Sequence, residues 1–180
     1  MNATDHLQKG WPGTSMENAG MENITALAAS VGQALKRRNL LMATAESCTG
    51  GGIAQAITDI PGSSEWFDCG FVTYSNASKS ELLSIPAATI AQHGAVSEEI
   101  AGAMAQAAVD NSNASVAVST TGIAGPGGAV PGKPVGTVCF GWHVGNKTRT
   151  ERRVFEGDRH AVRDQAVAYA LACLLRQLED

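Results

Sequence analysis

A chain of 180 residues, 44% of them hydrophobic, is long enough for one domain to bury its own core without staples. A formal charge of −4 speaks against nucleic-acid binding, which calls for a basic surface, and no apolar run approaches membrane-spanning length. Cys48, Cys69, Cys139 and Cys173 are far apart and lack C-x-x-C or histidine partners at ligand spacing, so neither a disulfide framework nor a zinc site is expected.

Residues 1–20 carry Gly, Pro, Asn and Ser without periodicity and read as a disordered leader, leaving 21–180 as the folded domain. No apolar h-region marks a signal peptide, so a cytoplasmic protein is expected. Ile24, Leu27, Ala28, Val31 and Leu35 recur at helical spacing, and Leu40 to Ala45 reads as a buried strand. A short helix follows over Gly52 to Thr58, stopped by Asp59-Ile60-Pro61-Gly62. Phe71 to Tyr74 reads as a second strand, with Ser75-Asn76 opening a helix through Leu83; Asn76 as its cap puts Lys79 in the first turn. His93 before Gly94 looks like a turn residue.

Ser97 is an N-cap followed by Glu98 and Glu99, where acids suit the helix dipole. Val116 to Ser119 is another buried strand. Gly136 to Val144 and Thr148 to Phe155 form a hairpin across Gly145-Asn146, and Asp158 caps a last helix with its stripe from Val162 to Leu178. Alternating helices and strands with a late hairpin predict a three-layer α/β sandwich, its mixed, mostly parallel sheet flanked by helices. Three polar or glycine-rich segments, 46–52, 74–79 and 121–128, then leave strands at the edge where ligands gather in such folds.

The densest signal is Ala45-Glu46-Ser47-Cys48-Thr49-Gly50-Gly51-Gly52. It places two nucleophiles, Ser47 and Cys48, at a strand exit before a helix, beside the backbone N–H groups of Thr49, Gly50 and Gly51, which can face an anion or an oxyanion. A helix start lowers the pKa of a thiol, making Cys48 a rival, but no histidine is paired with it. The dipole likewise lowers the pKa of a first-turn lysine, so Lys79 can serve Ser47 as a base, against the plainer reading of a solvated lysine. Gly127 to Lys133 fits G-x-x-x-x-G-K, but Pro134 replaces the magnesium-binding hydroxyl and a strand follows, so no ATPase site is expected. Lys147, Arg149, Arg152, Arg153, Arg159 and Arg163 suit a phosphorylated small molecule or, equally, a solvated strand face.

Taken together, the Glu46-to-Gly51 segment, Phe71-Val72-Thr73-Tyr74-Ser75-Asn76 with Lys79, His93 to Ser97, Thr121 to Gly128 and Lys133 to Val138 resemble the CinA C-terminal domain family from about residue 22 onward. Many members carry a preceding molybdopterin-binding-like domain; this chain resembles the stand-alone form. The resemblance implies cofactor- and metal-independent hydrolysis of nicotinamide mononucleotide to nicotinate mononucleotide and ammonia. It implies Ser47 as nucleophile, Lys79 as its partner and Tyr74 at the site. Thr121, Gly122 and Gly125 fall in the substrate-binding loop, and either Arg159 or Arg163 holds the phosphate. A homo-oligomer is expected, with the apolar 22–38 helix facing a partner. The competing reading is a non-catalytic pyridine-nucleotide-binding module.

Overall fold

The computed structural model describes residues 21–179, so the leader expected over 1–20 lies outside the described residues. Helix α1 (Met21–Arg38) leads into β1 (Met42–Glu46), then α2 (Gly52–Thr58), a 3₁₀ turn at Ser63–Glu65 and β2 (Phe67–Val72). Three helices follow, α3 (Asn76–Leu83), α4 (Ala87–His93) and α5 (Glu98–Asp110), before β3 (Val116–Gly122). The hairpin β4 (Thr137–Val144) and β5 (Lys147–Val154) precedes α6 (Arg159–Glu179).

The sheet has the order β2-β1-β3-β4-β5. β1 pairs parallel with both β2 and β3, β3 pairs antiparallel with β4, and β4 antiparallel with β5, so β4 alone runs against the rest. The expected mixed sheet is therefore present, with a parallel core. Successive strand residues face opposite layers. Met42, Val118, Phe140 and Trp142 pack with Val31, Leu35, Ile53 and Leu171 of α1, α2 and α6. Ala43, Ala45 and Ala117 meet Ile100, Met104 and Ala108 of α5, with Leu83 and Ile90 behind. Both faces are thus covered, which is why the central strands read as continuous apolar runs.

The alanines on the second face let α5 approach closely. A Cβ at Gly141 would lie 2.4 Å from the Ala101 carbonyl oxygen, so that position in β4 admits only glycine. At the far edge β5 is exposed along almost its whole length. Lys147, Arg149, Arg152 and Arg153 lie on it, and charge of this kind discourages edge-to-edge pairing. The solvated-face reading of the basic cluster therefore holds for its strand residues.

Several boundaries differ from expectation. β2 begins at Phe67 and ends at Val72, because Asp68 and Gly70 mask an alternating edge strand; Thr73 and Tyr74 have already left it. α3 is capped by Ser75, not Asn76: Ser75 Oγ accepts from Ser78 N–H at 3.0 Å and Ser78 Oγ accepts from Ser75 N–H at 3.2 Å. His93 ends α4, a short helix that starts after Pro86 and that apolar spacing does not announce. The apolar stripe of α1 packs largely inside the domain, with Val31 and Leu35 fully buried and Ile24 and Leu27 partly so.

The connections fix the site. β1 reaches β2 through α2 on one face; β2 reaches β3 through α3, α4 and α5 on the other. The chain exits from β1 and β3 therefore diverge, and a crevice opens at their carboxyl ends.

Candidate active site

Ser47 is the first residue past β1, and its N–H donates to the Thr120 carbonyl at 2.9 Å, pinning it to β3. Lys79 approaches from α3. Its Nζ lies 3.1 Å from Ser47 Oγ and donates to the Thr73 carbonyl at 2.7 Å. The lysine is 1% exposed, and among the described residues it forms no ion pair. Burial without a carboxylate disfavours the ammonium, so its pKa falls below the ordinary 10.5, an effect that neighbouring Cys48 opposes. The depression expected from the helix start is present, but burial is its main cause. A lysine with this access to a neutral amine can take a proton from Ser47.

Burial disfavours the rival Cys48 as a nucleophile. Its thiol is buried, and desolvation pushes its pKa up to about 12, helped by the charge of Glu46. The thiolate, which is the reactive form, is thereby suppressed.

The turn after Ser47 is built around Glu46. Gly50 and Gly51 take φ of 62° and 92°, the left-handed region that favours glycine. Gly50 N–H donates to the Ser47 carbonyl at 3.0 Å and Gly51 N–H to Glu46 Oε2 at 3.1 Å. Both are therefore spent inside the turn and do not face an incoming oxyanion. Of the three donors expected, only the N–H of Thr49 is taken by neither Ser47 nor Glu46.

A pocket of about 220 Å³ brings together Ser47, Cys48, Tyr74, Gly122, Gly125 and Arg159, with Ile123, Ala124, Gly127 and Gly128 completing its wall. The exits of β1 and β3 and the segment after β2 thus converge as expected. Arg159, at the start of α6, spans the rim: its guanidinium donates to the Gly125 carbonyl and to Tyr74 Oη, both at 2.8 Å. Tyr74 is 61% exposed, so its ring stands at the mouth and not beneath the lysine.

Two predicted substrate contacts face elsewhere. Thr121 Oγ1 donates to the Ala95 carbonyl at 2.7 Å and is buried, tying β3 to the segment before α5. Arg163 lies behind the turn, where it donates to the Thr49 carbonyl at 3.0 Å and lines a separate cavity with Gln55, Asp59 and His160. One helical turn separates the two arginines, and they line different pockets. The Gly127-to-Lys133 segment is a tight turn: Val130 and Lys133 exchange backbone hydrogen bonds at 2.9 and 3.1 Å, and strand β4 follows.

Sequence reasoning missed Thr73, whose carbonyl anchors Lys79, and the side-chain role of Glu46. A signal for the second existed. The N-terminal N–H groups of α2 need acceptors, Gly51 has no side chain to offer one, and Glu46 is the nearest acid upstream.

Residues 24–178 match the model of the CinA C-terminal domain. A nicotinamide-nucleotide amidohydrolase PncC of Pseudomonas putida is 53% identical over 156 residues, covering 87% of this chain and 98% of the relative. The protein of that name from Escherichia coli K12 is 53% identical over 152 residues, covering 84% and 92%. Among solved structures, the competence damage-inducible protein A of Klebsiella pneumoniae superposes with a TM-score of 0.85 at 39% identity, covering 87% of this chain and 98% of that one.

Proposed function

This chain belongs to the CinA C-terminal domain family, and we infer that it is a nicotinamide-nucleotide amidohydrolase converting nicotinamide mononucleotide and water to nicotinate mononucleotide and ammonia. The observation that carries the mechanism is the buried Lys79 Nζ at 3.1 Å from the Oγ of Ser47, a residue that lines the pocket.

Neutral Lys79 takes the hydroxyl proton as Ser47 Oγ attacks the carboxamide carbon, and the carbonyl π electrons move to oxygen. In this reading the Thr49 N–H, which also approaches the Cys48 thiol, meets that oxyanion. Collapse breaks the C–N bond as Lys79 returns its proton to nitrogen, releasing ammonia and leaving a Ser47 ester. Water, deprotonated by Lys79, then attacks the ester; Ser47 recovers its proton as it leaves. Arg159 at the rim suits the 5′-phosphate because a guanidinium pairs bidentately with it. In this reading the enzyme works in pyridine nucleotide recycling in the cytoplasm, with a small molecule and not nucleic acid or a membrane as its partner. Among the described residues no helix is long and apolar enough to cross a membrane. Assembly as a homo-oligomer belongs to the reading too, supported by exposed Val72 and Tyr74 beside edge strand β2.

The test is ammonia release from nicotinamide mononucleotide without added metal, with Ser47→Ala in parallel. Release by the wild type, with a loss of about a thousandfold or more in the variant while binding persists, is the expected result. A folded wild type that binds the nucleotide and releases nothing is instead a non-catalytic binding module.

A further inference from the structure

Glu46 is wholly buried at the end of β1, and its carboxylate accepts four hydrogen bonds. Oε2 accepts from Thr49 Oγ1 at 2.6 Å, Gly51 N–H at 3.1 Å and Ile53 N–H at 3.0 Å; Oε1 accepts from Ala54 N–H at 2.9 Å. No ion pair of a basic side chain with it occurs among the described residues. An uncompensated charge in the interior is costly, and here the donors of one short turn repay it. Because Gly51 caps α2 in the left-handed region and offers no side-chain acceptor, the Glu46 carboxylate serves the N-terminal N–H groups of that helix, and it does more than cap it.

The struts show what it adds. Thr49 Oγ1 also lies 2.7 Å from Thr120 Oγ1, and Thr120 is the residue whose carbonyl receives Ser47 N–H. The Thr49 carbonyl is held from the other side by Arg163. Thr49 is therefore fixed at its hydroxyl by Glu46 and β3 and at its carbonyl by α6. The Glu46 backbone carbonyl meanwhile accepts from Thr73 N–H at 2.8 Å, and the Thr73 carbonyl holds Lys79. One residue thus links the segment that aims the base to the turn that carries the nucleophile.

We propose that Glu46 is a positioning residue of the reaction: its carboxylate fixes the 47–54 turn so that Ser47 Oγ stays within reach of Lys79 at the pocket wall. The inference rests on the amidohydrolase reading of this site and adds to it a residue that touches no substrate. Glutamine is nearly isosteric, but its amide nitrogen would set a donor against the N–H of Ala54 or the donors at Oε2. Because displacement by about 1 Å can cost a hundredfold in rate, Glu46→Gln is expected to lower kcat by about ten- to a hundredfold with KM within about twofold of wild type.

Three measurements on the full chain test this. The first is kcat and KM for nicotinamide mononucleotide in the wild type, Glu46→Gln and Thr49→Val, the last removing one strut without touching the charge. The second is the rate at which a phosphonofluoridate labels Ser47, which needs no nucleotide. The third is the thermal midpoint of each variant beside Leu178→Ala, a core truncation at the far end of α6, about 22 Å along the helix from Arg163. The expected result is slow turnover and slow labelling in both turn variants, with Leu178→Ala destabilised yet turning over and labelling like wild type. Turn variants that fold and both turn over and label at wild-type rates overturn the proposal. A Glu46→Gln protein that does not fold leaves Thr49→Val to decide it, by the same two rates. A wild type that labels at Ser47 but releases no ammonia fails the substrate reading alone, and the labelling rates still judge Glu46. A wild type that neither turns over nor labels sinks both.

Discussion

Lys79 Nζ and Ser47 Oγ sit 3.1 Å apart under the floor of the pocket, with the lysine held from behind by the Thr73 carbonyl at 2.7 Å. The pairing is asymmetric: the serine reaches the pocket wall, and the amine reaches only the serine and a carbonyl. A charge in that position has nothing opposite to it, and this decides how the protein responds to pH.

Burial holds the Lys79 pKa below 10.5, so the base becomes competent at lower pH than an exposed lysine would. The rate kcat/KM is expected to rise with unit slope through one ionisation below 10.5 and then level. Lys79→Arg, which cannot deprotonate, should lose about a hundred- to ten-thousandfold across the whole range. A pH–rate profile checks both; a limb unchanged in Lys79→Met would assign that ionisation elsewhere.

The same shift has a stability consequence whose sign runs opposite to that of a paired lysine. Here the unfolded chain binds the proton more tightly than the folded one, so stability rises with pH between the depressed folded pKa and 10.5. Below that window the cost of the buried ammonium is fully present. Thermal midpoints of the wild type and Lys79→Met, taken from pH 6 to 10, should converge in the wild type's favour as pH climbs. Parallel curves would mean that the folded lysine stays charged across the whole range, as the unfolded one does.

Cys48 offers a separate check on the nucleophile. With its thiol raised to about 12 and its side chain buried, alkylation near neutral pH should be slow, and Cys48→Ala should keep turnover within about threefold of wild type. Rapid inactivation by iodoacetamide that Cys48→Ala abolishes, together with loss of turnover in that variant, would transfer the role from Ser47.

How much of this was legible beforehand follows from the range of each interaction. The central strands and the helix stripes are written at fixed spacing, so β1, α2, α5 and the β4–β5 hairpin could be read within a few residues. The Ser47–Lys79 pair spans 32 positions and was legible only because both ends lay in recognisable segments. The fate of backbone donors was not. Whether Gly51 N–H faces a ligand or Glu46 depends on where one carboxylate turns, and spacing carries no trace of that. Nor does spacing separate Arg159 from Arg163, which differ by about one turn and end in different pockets.

Those arginines yield a contrast that kinetics can read. Arg159 bridges Gly125 and Tyr74 at the mouth; Arg163 braces the Thr49 carbonyl from behind. Losing a charged hydrogen-bond partner of substrate costs about 1.5–3 kcal/mol, so Arg159→Ala should raise KM about ten- to a hundredfold with a smaller change in kcat. Arg163→Ala should leave KM near wild type and lower kcat or the thermal midpoint, since it loosens the turn without touching phosphate. Reversed signatures would move the phosphate to the cavity behind the loop.

Gly122 separates structure from binding in the same pocket wall. A Cβ there would lie 2.6 Å from the Thr137 carbonyl oxygen and 2.9 Å from Val138 Cα, both backbone atoms of β4 that cannot rotate aside. Its place beside the pocket therefore reflects the close pairing of β3 and β4, and no group of the substrate needs to occupy the missing side chain. Gly122→Ala should cost about 1–3 kcal/mol of stability through overpacking, a fall of a few degrees per kcal/mol in a domain of this size. KM measured well below the new midpoint should stay close to wild type, because the strain is directed into the sheet. A stable Gly122→Ala protein with a raised KM would mean that the sheet yields and the pocket wall moves instead, making the glycine a substrate contact after all.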